Sequence, residues 1–155
     1  MTGAVSIRRM LSGEEAIRVC AEWRHRAFLA EDGFSIVDAQ HQLEELVSRQ
    51  GFEAAFVAEA GGVPAGTCLF VEEEIDPRHD VSPWLAGLYV APEFRNRSIG
   101  CQLVEAVEAH AREAGCTRIY LYASDAEAYY AAIRWQVVER FDWDGDPFVL
   151  MRRDL

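Results

Sequence analysis

The stretch 84-WLAGLYVAPEFRNRSIG-100, continued as CQLVEAVEAHAREAG to Gly115, decides how this chain folds. Its opening run is apolar or small on both alternating sets, Trp84, Ala86, Leu88 and Val90 against Leu85, Gly87 and Tyr89. That pattern predicts a strand buried on both faces, hence one at the centre of a sheet. Pro92 marks a turn, and RNRSIG (Arg95 to Gly100) is a basic, partly glycine loop. Ile99, Leu103, Val104, Val107 and Ala111 then recur at helical spacing, with Glu105, Glu108 and Arg112 assigned to water and Gly115 to the helix stop. A buried strand that empties through a basic loop into a helix start is a device for holding phosphate. The first-turn N–H groups lack helical partners, the helix dipole favours an anion there, and arginines add charge-assisted hydrogen bonds.

Upstream, Val5 to Arg8 reads as a short strand, and Ser12 with Glu15 has the spacing of a capping box. The helix after it is expected from about Glu14 to Leu29, burying Ile17, Cys20, Ala21, Ala27 and Phe28 and leaving His25 and Arg26 wet. Asp38 is the expected cap of a second helix with Leu43, Leu46 and Val47 on one face and Gly51 as its left-handed stop. Ala55 to Glu59, the turn Ala60-Gly61-Gly62 and Thr67 to Val71 form a hairpin. The acidic segment Glu72-Glu73-Glu74, with Asp76, Pro77, His79 and Asp80, reads as a surface loop. Downstream, Ile119 to Tyr122 is a second buried strand, parallel to the first through a right-handed crossover. A helix from about Asp125 to Arg134 and a hairpin of Val137 to Phe141 and Phe148 to Met151 around Asp144-Gly145 close the chain.

The chain of 155 residues, half of them apolar, suits one domain spanning residues 1–155. A formal net charge of -11 argues against nucleic-acid binding, which needs a basic surface, and favours a cationic partner or simple solubility. Cys20, Cys68, Cys101 and Cys116 are irregularly spaced without a C-x-x-C pair, as for reduced thiols in the cytoplasm rather than a metal site. No signal-peptide stretch or membrane-length run is found in the sequence, so no membrane partner is expected.

The element order β-α-α-β-β-β-α-β-α-β-β, with the anion loop before the third helix, resembles the GCN5-related N-acetyltransferase superfamily. Val90-Ala91-Pro92-Glu93-Phe94-Arg95 is similar to its V-x-P-x-x-R run, and Arg95, Ile99 and Gly100 to its R-x-x-G-x-G loop, with Ser98 where the first glycine is usual. Ala126 to Trp135 is similar to its A-x-x-[LFY]-Y-x-x-x-G-[FW] helix, with Tyr130 on the position of the general acid. Arg134 replaces a glycine, and Ala123 stands where an asparagine is common.

The resemblance implies an α/β (α+β) fold, a mixed central sheet of about seven strands flanked by about four helices. It implies acetyl-coenzyme A as cosubstrate, no metal, and direct attack by a neutral amine in a ternary complex. Leu88, Tyr89 and Val90 would hold the thioester arm, and Arg95, Asn96, Arg97, Ser98, Ile99 and Gly100 the pyrophosphate. Tyr130 would protonate the departing sulfur. No base is assigned; Glu72, Glu73, Glu74, Asp76, His79 and Asp80 stand as candidates acting through water, and Trp84 as either core or the wall of an acceptor pocket. The acceptor is an amine, with a cationic small molecule or a peptide N-terminus favoured by the acidic charge. The three departures leave a second reading, a coenzyme A-binding sensor or interaction module without catalysis. A nucleotide-handling enzyme is a poorer third, since the loop lacks Gly-Lys-Ser/Thr and the full G-x-G-x-x-G. Strand edges and the final hairpin leave room for a homodimer.

Overall fold

Two turns with consecutive left-handed residues pin the outer hairpins of the sheet. Gly61 (φ 61°) and Gly62 (φ 82°) join β2 (Ala54–Ala60) to β3 (Val63–Val71), and Asp144 (φ 51°) and Gly145 (φ 87°) join β6 (Gln136–Trp143) to β7 (Asp146–Asp154). Positive φ at both central residues matches the right-handed twist of the flanking strands. The computed structural model describes residues 4–74 and 76–155; Met1–Gly3 and Ile75, part of the expected 1–155 domain, lie outside the described residues. The remaining elements are β1 (Val5–Arg9), α1 (Glu15–Arg24), α2 (Ile36–Arg49), β4 (Trp84–Val90), α3 (Ile99–Glu113), β5 (Arg118–Ala123) and α4 (Glu127–Ala132). The strands form one seven-stranded sheet in the order β1-β2-β3-β4-β5-β7-β6. Every neighbouring pair is antiparallel except β4 and β5.

Helices cover both faces. On one face, Ile99, Leu103, Val104 and Val107 of α3 pack with Phe70, Leu85 and Ile119. On the other, Cys20 and Ala21 of α1 and Leu43 and Val47 of α2 pack with Leu69, Trp84 and Tyr120. Each fully enclosed leucine of this kind contributes about 2 kcal/mol. Leu43 and Leu103 are such residues.

The ends of the first two helices differ from expectation, for local reasons. The Ser12 hydroxyl bonds the Glu44 carboxylate rather than capping α1. Glu14 occupies the N-cap without a side-chain cap because its carboxylate is held by Arg8 and accepts from the Leu11 N–H. In α2 the cap is Ser35, not Asp38. Asp38 N–H donates to Ser35 Oγ (3.0 Å) and Ser35 N–H to Asp38 Oδ2 (2.8 Å), a reciprocal capping box. The left-handed residue that closes α2 is Gln50 (φ 45°), so Gly51 is not the stop. After Arg24 the helix continues as a π-helical segment, His25–Leu29. The wider turn shifts the register, so Ala27 and Phe28 face outward while Trp23, Arg24 and Leu29 are buried.

Glu108 also departs from its expected wet position. It is 7% exposed, accepts from Trp135 Nε1 at 3.1 Å and lies 3.7 Å from Arg153 Nε. Burial raises its pKa, against the pull of Arg153. No helix among the described residues is long and apolar enough to cross a membrane.

Candidate active site

The central feature is a parting of strands. The β4–β5 ladder has a single residue pair, Trp84 with Tyr120, after which the two parallel strands diverge. Trp84, Leu85 and Ala86 are buried, whereas Gly87, Leu88, Tyr89 and Val90 are only partly so. The sequence expectation of a strand buried on both faces therefore holds for its first half alone, because β5 leaves the second half uncovered. On its other edge β4 bulges against β3: Thr67 pairs with Tyr89 and Leu69 with Ala86, one residue more on β4 than on β3. Gly87 in the bulge has φ 62°, which a side chain resists.

The loop after β4 delivers α3 to the mouth of this cleft. Arg95, Asn96, Arg97 and Ser98 are all exposed, and Asn96 (φ 65°) and Ser98 (φ 62°) are left-handed. The first helical bond runs from Gln102 N–H to Ser98 O at 3.1 Å. The N–H groups of Ile99, Gly100 and Cys101 thus lack a carbonyl one helical turn back, which is the arrangement an anion exploits. Ser98 occupies the N-cap without a side-chain cap bond, so its hydroxyl is not engaged by the helix. Of the two arginines, Arg95 is partly committed. Its Nε donates to Val90 O at 2.9 Å, and its guanidinium carbon lies 5.7 Å from the Tyr89 ring centroid. The Arg97 guanidinium lies 5.6 Å from the Phe94 ring centroid.

α4 faces the same helix start. A Cβ on Gly100 would come within 2.6 Å of Tyr129 Oη, which also approaches Cys101 Sγ at 3.4 Å. A side chain at position 100 would push the Tyr129 hydroxyl aside. Tyr130 is 7% exposed, its ring tilted against Tyr129 and Trp135 at centroid distances of 5.2 and 5.9 Å. Its hydroxyl makes no hydrogen bond among the described residues. Among the described residues, the fully enclosed side-chain nitrogens and oxygens that lack a hydrogen bond are Trp84 Nε1, Arg152 Nε and Arg153 Nε. Tyr130 Oη is not one of them, so it borders accessible space. Burial raises the phenol pKa and keeps the group a proton donor at neutral pH. α4 ends on a left-handed Arg134 (φ 76°), with Trp135 N–H donating to Tyr130 O at 3.0 Å. The usual helix-stop geometry is present despite the missing glycine.

Of the candidate bases, His79, Asp76 and Glu74 are engaged, while Glu72, Glu73 and Asp80 are exposed. His79 Nδ1 is 2.8 Å from Tyr122 Oη, which accepts from Arg78 N–H at 2.9 Å, and His79 Nε2 pairs with the Glu139 carboxylate. With its oxygen accepting from Arg78, Tyr122 can donate to Nδ1, leaving Nε2–H for Glu139. Asp76 lies 3.7 Å from Arg78 Nη2, and Glu74 acts electrostatically on both Tyr122 and Arg24. Trp84 is fully buried against Tyr120 and Tyr122. His110 is tied to Phe52 O at 2.8 Å and packs edge-on to Phe56 and Phe70. Cys20 and Cys68 are buried, and burial pushes both thiols up to about 12.

Sequence reasoning passed over Arg24. It is 8% exposed, and a Cβ on Gly87 would overlap its Nη1 outright. The signal was present: Arg24 follows Ile17, Cys20 and Ala21 at the i+7, i+4 and i+3 positions of the buried stripe.

A model of the acetyltransferase (GNAT) family matches residues 17–135. No curated protein matches the chain. Among solved structures, an aminoglycoside 6'-N-acetyltransferase complexed with coenzyme A superposes with a TM-score of 0.74 at 16% identity, covering 96% of each chain. The yncA protein of Salmonella typhimurium with its cofactor acetyl-CoA gives 0.73 at 19% identity, covering 98% of this chain and 94% of that one. The paia N-acetyltransferase of Thermoplasma acidophilum in complex with coenzyme A gives 0.69 at 18% identity, covering 98% and 99%. At these identities the likeness is one of fold.

Proposed function

Because the chain belongs to the acetyltransferase (GNAT) family, we propose that it moves an acetyl group from acetyl-coenzyme A to an amine by direct attack in a ternary complex. The observation that carries this reading is the β4–β5 cleft, held open past the Trp84–Tyr120 pair and flanked by the free N–H groups of α3. The fit to coenzyme A rests on those groups. Arg97, Ser98, Ile99 and Gly100 offer backbone N–H and charge to the pyrophosphate, with Arg95 partly retained by Val90 O. Leu88 to Val90, lacking a β5 ladder, offer main-chain groups to the pantetheine arm and to the acetyl carbonyl, where a preorganised N–H would stabilise the oxyanion.

In the step proposed, the neutral amine forms the new N–C bond as the C–S bond breaks. The Tyr130 hydroxyl gives its proton to the departing thiolate and is reprotonated from solvent, and the nitrogen of the new amide releases its extra proton to water. The acidic segment after β3 draws the amine in as its ammonium form, which gives a proton to water before the neutral amine attacks. Three structural neighbours are complexes with coenzyme A or acetyl-CoA, and one acts on aminoglycosides, which supports an amine acceptor. Tyr130→Phe tests the reading. Thiol release with an accepted amine should fall about 100-fold in kcat while coenzyme A affinity stays within about threefold. Undiminished turnover in the phenylalanine variant would remove Tyr130 from the reaction.

A further inference from the structure

Arg24 carries a buried charge that Glu74 acts on only from beyond contact distance. It lies at the end of α1, 8% exposed, and its guanidinium makes no hydrogen bond or contact ion pair among the described residues. Burying a guanidinium without a partner is unfavourable by several kcal/mol, so such a group is retained where an anion joins it. It sits over Gly87, the left-handed bulge residue of β4, with Phe28 of the π-helical turn beside it. A side chain at position 87 would displace the guanidinium. Its nitrogens are not among the fully enclosed unpartnered atoms, so its free N–H groups border accessible space. The bulge lies where β4 parts from β5, on the face covered by α1 and opposite that of α3. The groups acting on Arg24 are Glu74, Cys68 and Cys20, and burial of the two cysteines keeps their thiols neutral.

We infer that Arg24 anchors a carboxylate of the acceptor, so that the preferred acceptor is an amino acid-like amine rather than a cation alone. The inference rests on the acetyltransfer reading above and narrows its substrate class. A planar guanidinium takes a carboxylate through two parallel hydrogen bonds, which fixes the amine end of a short zwitterion at a set distance. With the carboxylate on Arg24, the amine is carried toward the β4 bulge and the negative field of Glu74. The acidic surroundings and the buried arginine then serve the two ends of one molecule.

The test compares free amino acids with their α-carboxamides in matched pairs, with spermidine as a cation-only control, in wild type, Arg24→Met and Arg24→Lys. Coenzyme A titration on each variant separates the two claims. Absence of coenzyme A binding by the wild type overturns the acetyltransfer reading itself. Given binding, kcat/KM for carboxylate-bearing acceptors should exceed that of their amides by at least about tenfold. Arg24→Met should abolish that preference through KM with coenzyme A affinity unchanged, and Arg24→Lys should restore part of it. Equal or better turnover of amides or spermidine, no turnover of any carboxylate-bearing amine, or an equal loss on both members of each pair in Arg24→Met would overturn the carboxylate anchor.

Discussion

Ser98→Gly isolates what a side chain at the anion loop does. Ser98 has φ 62° and ψ 18° at the N-cap of α3, the conformation for which the family's glycine is suited. A residue with a Cβ pays about 1–2 kcal/mol to stand there. Glycine removes that strain but gives back about 0.5–1 kcal/mol through the greater entropy of the unfolded chain. The net expectation is a stabilisation of about 0.5 kcal/mol, read in thermal unfolding as a rise of about 1–2 °C for a domain of this size. Because the loop already has its left-handed geometry, wild type should bind acetyl-coenzyme A without the glycine. The substitution exchanges an unengaged hydroxyl, a donor to phosphate worth about 1 kcal/mol, for closer backbone approach. Calorimetry should therefore find affinities within about tenfold of one another. Absence of affinity in wild type, restored by Ser98→Gly, would refute the argument and mean that the serine disables the site.

Other perturbations test the scaffold. Arg134→Gly relieves the left-handed C-terminus of α4 (φ 76°) and should raise stability by about 0.5 kcal/mol in chemical denaturation. Gly66→Ala places a Cβ 2.8 Å from Tyr89 O and 3.1 Å from Leu103 Cδ1, so β3 and β4 must separate. It should cost about 1–3 kcal/mol and weaken coenzyme A binding in the same titration. For Glu108, the folded pKa lies above the unfolded value, so the native state binds more protons in between. Its contribution to stability is therefore most favourable at low pH and declines as pH rises from about 4.5 through the folded pKa. Glu108→Gln keeps an acceptor for Trp135 Nε1, and its stability relative to wild type should increase from pH 4 to pH 7. A flat difference across that range would contradict the assignment.

Much of the fold was legible because its signals are local. The hairpin turns carry Gly61-Gly62 and Asp144-Gly145, and the α3 stripe from Ile99 to Ala111 is buried as its spacing predicted. The misreadings arose where a tertiary partner outbid a local pattern. Ser12 has the right spacing to cap α1, but Glu44 of α2 takes its hydroxyl and Arg8 holds Glu14. Glu108 sits on the polar side of a helical wheel until Trp135 and Arg153 cover it. The π-helical turn has no period of its own in the sequence, so regular helical spacing points Ala27 and Phe28 inward. In the candidate site, the anion loop was readable as basic residues between a buried strand and a helical stripe, and Tyr130 only through the resemblance of Ala126 to Trp135 to a family motif. The pairing of Arg24 with Gly87 was not readable, because the two meet only when α1 lies on β4.

The most direct measurement is a crystal structure of the chain with coenzyme A bound. The pyrophosphate is predicted on the backbone N–H groups between Arg97 and Gly100, and the sulfur within hydrogen-bond reach of Tyr130 Oη. A pyrophosphate bound away from the α3 N-terminus, or a sulfur out of reach of Tyr130, would contradict the proposed cleft.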